Sequence, residues 1–525
     1  MKEEIPVIEP VVEVNQPVSP SQPNVAIVTK ESFLAKVKGG LGKITTANNA
    51  RYFKIAGIVV AVIVVICLLS AIFSGEKNPD YSLFFETEDG DLMLVNSNSK
   101  EAEKITSLDD TNQYIDVKYA NNTEKYLLYI EDSKLYLLNT KKADEPIKIA
   151  KDIYEYAFSE NDKYVYYTDE ETDLYVYDMK TSEKIDNGID YVIGTTKTKI
   201  FYFKSDKLYV SSLKASKDDK TKIESDVSWA QLSEDMSILA YKNEDGDLYS
   251  YKVSNGKSTK LVNDCQQVWY QNEDFSEFIF QDGDEIIYFK KGDTTELAND
   301  VSYLYFADLD SLQLLYTEYD GDYTNADLYY KKGDDEAVKV ASNIDVGDAF
   351  IRDGNELYYT SGKTDSNYEV TYKLYYAKIK GSKVGDDDKI ASNLSSRLNR
   401  TFKDGCLFFT SDDDESTLQI VANGKVEKVA DDFYINGSFF ENEDNDKIYF
   451  ITDADEDGGK LNVYNGKKTE ELSSDVYTFS YINDKQIYIL KDYEDTSGTL
   501  YRLNGSKMIE IAKDVAYISE PISSY

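Results

Sequence analysis

A five-residue phrase governs this chain. An aliphatic residue, two variable positions, an Asp, Asn or Gly, and a final apolar residue recur as IAKDI (149–153), IDNGI (185–189), IESDV (223–227), LVNDC (261–265) and LANDV (297–301). The series continues with VASNI (340–344), IASNL (390–394), VADDF (429–433), LSSDV (472–476) and IAKDV (511–515), and a looser ITSLD lies at 105–109. Successive full copies start 36 to 50 residues apart. Self-similarity at such a period is the mark of stacked supersecondary units, none of which buries its apolar face alone.

Between phrases the order is constant. A run such as YEYAF (154–158) is followed by an Asn/Asp turn and a run such as YVYYT (164–168). An acidic turn then leads to a Leu-Tyr strand, for example LYVY (174–177) or LYSY (248–251), and a short strand ends in the next phrase. Four antiparallel strands in about 40 residues correspond to one propeller blade. The phrase is expected to end the outermost strand, turn the chain at its Asp or Asn, and start the innermost strand of the next blade. Residues 81–107 hold only three strands and residues 515–519 an isolated one, so pairing the two segments completes a blade and removes two exposed edges. The resulting fold class is all-β, a β-propeller array of about eleven four-stranded units. Eleven exceeds the usual four to eight, which calls for two rings or one unusually wide ring, and two rings are the leading expectation.

The unit resembles the TolB-like and WD-repeat-like propellers of bacterial surface proteins over residues 81–519. Tyr177–Asp178 stands where a WD repeat carries its Trp-Asp pair. The Gly-His pair of true WD repeats, the Asp-box of sialidases and the double glycines of kelch repeats are all missing. The resemblance implies a fold and a general habit of binding, and no particular ligand.

Ahead of the repeat, residues 55–73 read IAGIVVAVIVVICLLSAIF, with no charge and no strong polar group. Nineteen helical residues span roughly 28 Å, the thickness of a bilayer's hydrocarbon core. A transmembrane helix over 55–74 is expected. It is too long and too far from the start for a signal peptide, and Ile66 before Cys67 does not fit a lipoprotein cleavage site. Residues 30–54 hold six Lys/Arg against one Glu, whereas Glu76 and Asp80 follow the span. Residues 1–54, a disordered tail with five of the eight prolines and a basic juxtamembrane segment, are therefore placed in the cytoplasm, and residues 75–525 outside the cell membrane.

Charge and composition narrow the function. The formal net charge is -39, from 97 acidic and 58 basic residues. Such a surface repels nucleic acid and favours cations and basic partners. Histidine is absent, which excludes Ser-His-Asp and Cys-His catalysis and any histidine-ligated metal. No other catalytic motif is present, so an enzyme is not expected. Cys265 and Cys406 fall at positions where other repeats place apolar residues and read as buried thiols.

Three candidate sites remain. Asp453, Asp455 and Asp457 before Gly458 have the spacing of a calcium loop, though Tyr464 stands where an EF-hand has its closing Glu. A solvated acidic turn is the alternative. Trp229 and Trp269, at odd offsets from the phrase Asp of successive units, suggest one face of adjacent inner strands. They form either an aromatic platform for a sugar or peptide, or packing between blades. Arg397, with Arg400 nearby, is one of five arginines and falls on an innermost strand, as an anion contact or an ordinary ion pair. The leading expectation is a membrane-anchored binding or scaffold module for a surface protein, peptide or wall glycan. A transmembrane sensor, a carboxylate-dependent glycosidase and a calcium-dependent lactonase are the alternatives.

Overall fold

The computed structural model describes residues 81–519, except 97–101, 108–116, 120–125, 132, 140–141, 215–218, 320–325, 365–369, 395–397, 399–401, 413–414, 435–438, 443, 445 and 457. The segments 1–54 and 55–74 lie outside the described residues. Among the described residues no helix is long and apolar enough to cross a membrane.

Unit 3 shows the plan. Strands Ile153–Phe158, Val165–Asp169, Leu174–Tyr177 and Ser182–Asp186 form one antiparallel sheet in sequential order. Units 2, 4, 5 and 6 are separate sheets of the same kind, spanning 117–151, 191–225, 227–262 and 267–298. In units 7 to 11 the last strand of one unit often runs directly into the first of the next. Val338–Arg352, Thr469–Asn483 and Lys507–Ile518 are such strands, and each carries a phrase in its interior. The C-terminal part of Lys507–Ile518 pairs with Tyr81–Thr87 (Phe85 opposite Ile518, Glu86 opposite Tyr517), so both ends of the described chain share unit 1 as expected.

The phrase works by two backbone irregularities three residues apart. Its first residue is an extra residue against the third strand in all eleven units. In unit 3 Leu174 faces Asp186 and Tyr175 faces Lys184, which leaves Ile185 unpaired. Ile223, Leu297 and Ile511 are skipped in the same way, as is Ile105 of the looser copy. Its fourth residue has a left-handed backbone in all ten full copies, with φ between 48° and 59°. Seven are Asp, two Asn (Asn343, Asn393) and one Gly (Gly188), the residue types that tolerate this region. The carbonyl of that residue and the following N–H then bond to the turn between the second and third strands. Glu170 N donates to Asp152 O at 2.9 Å, and Val227 N to Asp206 O at 3.0 Å.

Packing runs between units rather than within them. Adjacent residues of each second strand face opposite sides: Leu127 packs toward unit 1 and Leu128 toward unit 3, Leu314 toward unit 6 and Leu315 toward unit 8. This explains why Phe201–Tyr202–Phe203 is buried throughout instead of alternating. Each such side chain contributes about 2 kcal/mol by leaving water. Tyrosines pair directly across the second and third strands, for instance Tyr167–Tyr175 and Tyr241–Tyr249, with ring centroids 5.1 Å apart in both pairs. In several units a fourth-strand lysine extends the ladder, as Lys339 does over Tyr329 at 5.4 Å.

Eleven apolar clusters follow, each joining two consecutive units. The eleventh unites Leu83, Phe85 and Val95 of unit 1 with Tyr488, Leu490 and Leu500 of unit 11. The packing order is thus a single cycle of eleven, with Phe306 of unit 7 also reaching the cluster of units 8 and 9. The expectation of two rings is not met, because consecutive burial continues without a break where a second ring would have to begin. Cys265 and Cys406 are buried thiols in different clusters, and burial pushes the Cys265 thiol up to about 11.

Replacing Asp300 by Val puts a β-branched side chain at φ 56° and is expected to cost about 1–2 kcal/mol. Asp300→Gly is expected to stay within about 0.5 kcal/mol of wild type. Equilibrium denaturation of the two variants gives the comparison.

Candidate ligand-binding face

Antiparallel order sorts the turns onto two sides. Crossovers between units and turns between second and third strands share one side, as their mutual hydrogen bonds show: Ile189 N donates to Thr172 O, Val301 N to Asp284 O and Glu88 N to Asp514 O. Turns joining first to second and third to fourth strands occupy the other side. The first strands form the inner edge, where they meet their counterparts. Trp269 of unit 6 lies edge-on to Tyr303 of unit 7 at 5.3 Å, and the Tyr305 hydroxyl donates to Val346 O of unit 8 at 2.9 Å.

The two sides differ in charge. On the crossover side, the described second-to-third turns hold fourteen acidic residues and the crossovers between named strands seven, without one Lys or Arg. On the other side the corresponding described turns hold nineteen acidic residues against eleven Lys/Arg. Lysines reach the edge of this side from the strands, and several on fourth strands pair with the carboxylate that opens the third strand. Lys104 meets Asp91 at 2.6 Å, Lys260 meets Asp247 at 2.6 Å, and Lys184 pairs with Asp173. The most enclosed carboxylate, Asp186, receives Lys204 at 3.1 Å, Lys220 at 3.0 Å and the Tyr202 hydroxyl at 3.1 Å. Burial opposes its ionisation, yet hydrogen bonds from Lys220, the Asn187 backbone and Lys204 outweigh it and hold the carboxyl below its usual range.

The same side carries exposed aromatic rings. Tyr154, Tyr191, Tyr303, Tyr434, Tyr477 and Tyr517 each lie two or three residues past a left-handed phrase residue, at the entrance of an inner strand, with exposures from 43% to 76%. They make up six of the ten exposed large hydrophobic residues among the described residues. Several are braced. Tyr477 stacks on Tyr493 at 4.0 Å, Tyr191 packs on Phe203 at 5.0 Å, and Tyr303 is held between Trp269 and Tyr305. Bulges in the inner strands set these positions: Tyr154, Trp269, Tyr305 and Tyr477 are themselves the extra residues. The signal was readable as a Tyr one or two places after the phrase, in DIY, VSY, DFY, DVY and VAY.

The sequence candidates separate. Trp229 and Trp269 are both half-buried but serve different clusters, Trp229 between units 5 and 6 and Trp269 between units 6 and 7. Each packs between its own unit and the next, as the packing alternative has it. Trp269 donates from Nε1 to Gln281 Oε1 at 3.2 Å and belongs to the aromatic series with Tyr303. Asp453 pairs with Lys460 at 2.9 Å, which keeps its carboxyl below the ordinary range, while Asp455 Oδ1 accepts from Gly458 N at 3.2 Å. Asp457, Arg397 and Arg400 lie outside the described residues. No group of three His, Cys, Asp or Glu that could hold a metal occurs among the described residues.

No family model matches this chain, and no curated protein matches it. Among solved structures it is similar to a eukaryotic initiation factor, at 12% identity over 75% of this chain and 97% of that one, with a TM-score of 0.38. It is also similar to the tricorn protease (11% identity, 79% and 47% covered, TM-score 0.31). A third is PorZ, a surface component of the type-IX secretion system of Porphyromonas gingivalis (12%, 81% and 65%, TM-score 0.23). The propeller architecture described here rests on the chain's own sheets and packing.

Asp186→Asn is expected to lower stability by about 2 kcal/mol at pH 7, since charged hydrogen bonds of this kind contribute on that order. Because the folded carboxyl titrates lower than the unfolded one, the wild-type advantage is present above roughly pH 3.9 and is lost as pH falls through the folded value. Denaturation curves at pH 7 and pH 3 should therefore diverge and converge respectively.

Proposed function

We propose that this chain is a membrane-anchored β-propeller that stands outside the cell membrane and acts as a binding or scaffold module for a surface protein, peptide or wall glycan. The observation that carries the reading is the series of braced, solvent-exposed tyrosines at equivalent inner-strand positions. Large rings held by their neighbours provide contact area at little entropic cost, which is how binding surfaces use tyrosine. A propeller needs none of them exposed for its own packing, since its clusters are filled by other residues of the same strands. The apolar run 55–73 and the basic segment before it support the anchor and its orientation.

The anchor has a direct test. The full chain should remain with membranes through alkaline carbonate extraction, and a chain lacking 55–74 should be released. Release of the full chain would remove the membrane from the proposal.

Binding is tested by cross-linking the full-length protein in its native membrane and identifying what co-purifies. A reproducible partner linked within 76–525 supports the module reading. Links restricted to 1–54 would instead make the chain a transmembrane sensor.

A further inference from the structure

We infer that the crossover side docks a Lys/Arg-rich extended segment of a partner polypeptide, its cations seated on the inner-rim tyrosines and between the acidic turns. The inference rests on the binding-module reading and names the face and the partner chemistry.

Two independent features meet on this side. One is the aromatic series, with Tyr154, Tyr303 and Tyr477 in three well-separated units. The other is the charge asymmetry: twenty-one acidic residues and no Lys/Arg in the described crossovers and second-to-third turns, against a mixed opposite side. A cation over a tyrosine face gains about 0.5–1 kcal/mol at an exposed site, and a nearby carboxylate adds a screened ion pair. Each contact is weak, so recognition needs several at once. Repetition at the same strand position supplies them in series, and an extended segment with alternating or clustered cations fits such a series. A neutral glycan has a use for the rings but none for the charge asymmetry. A divalent cation requires converging carboxylates, and no such group occurs among the described residues. Nucleic acid and anionic lipid are repelled.

The test uses the full chain in detergent micelles, with decalysine, a Gly-Ser peptide of equal length and a peptidoglycan fragment as probes. Decalysine is expected to bind at least tenfold more tightly than the other two. Raising NaCl from 50 to 300 mM is expected to weaken it about tenfold or more, because screening shortens the reach of surface charge. The triple variant Tyr154→Ser, Tyr303→Ser, Tyr477→Ser should weaken decalysine at least fivefold. A second variant, Glu170→Gln, Glu171→Gln, Glu244→Gln, should do likewise without touching any ring, which covers a folding failure of the first. Neutralising the other side through Glu234→Gln, Asp334→Asn and Glu336→Gln should change binding by less than twofold. Equal losses from the two sides, or binding indifferent to the tyrosines, would reduce the effect to net charge and overturn the inference. Salt-independent binding of the peptidoglycan fragment in preference to decalysine would also overturn it, while leaving the binding-module reading intact. Absence of binding by every probe, together with absence of cross-links to 76–525, would remove both.

Discussion

Everything in the propeller depends on one backbone event at each unit boundary: a residue with φ near +55°, three places after an unpaired bulge residue. The bulge ends regular pairing of the fourth strand and lets its aliphatic side chain turn toward the neighbouring cluster. The left-handed residue reverses the chain's direction relative to the sheet, and its carbonyl is tied to the turn of its own or the next unit. Without both, a strand such as Val338–Arg352 would continue straight through fifteen residues and could not serve two sheets. Because the same event occurs at all ten full copies, those units present the same edges to their neighbours, and the clusters can be alike without being identical.

That logic was largely legible in the sequence, since only Asp, Asn and Gly fill the left-handed place and apolar residues begin and end every full copy of the phrase. Strand order, unit count and the joining of residues 515–519 to residues 81–107 all follow from counting phrases. The ring count was not legible. It depends on the angle between neighbouring sheets, which the volumes of stacked tyrosines and phenylalanines set. The two tryptophans each pack toward the following unit, but counting from the phrase Asp is not what places them there. Ser228 is an extra residue just before Trp229, and Trp269 is itself one, so an odd offset from the phrase Asp no longer fixes a face. The acidic loop at 453–458 has a partner that spacing does not reveal. Lys460 is the cross-strand partner of Thr452, a register fact that linear spacing does not contain, and it brings the ammonium to Asp453.

The charge asymmetry has its root in the fold requirement itself. Gly188, Asn343 and Asn393 show that a neutral residue satisfies the left-handed position, yet seven of the ten copies use Asp. Conformation alone does not select the carboxylate. The second-to-third turns repeat the choice, with acidic residues at places where Ser133 or Ser205 shows that a neutral side chain fits. Crowding like charges on one side destabilises the compact state through self-repulsion. The fourth-strand lysines, Lys104, Lys184, Lys260 and Lys339 among them, offset part of that repulsion from the outer edge. A surface shaped only for stability would place its cations on both edges. Most of these ion-pairing lysines stand on outer strands, and six of the exposed tyrosines stand at the entrances of inner ones, so acidic turns and exposed rings lie side by side along the inner rim.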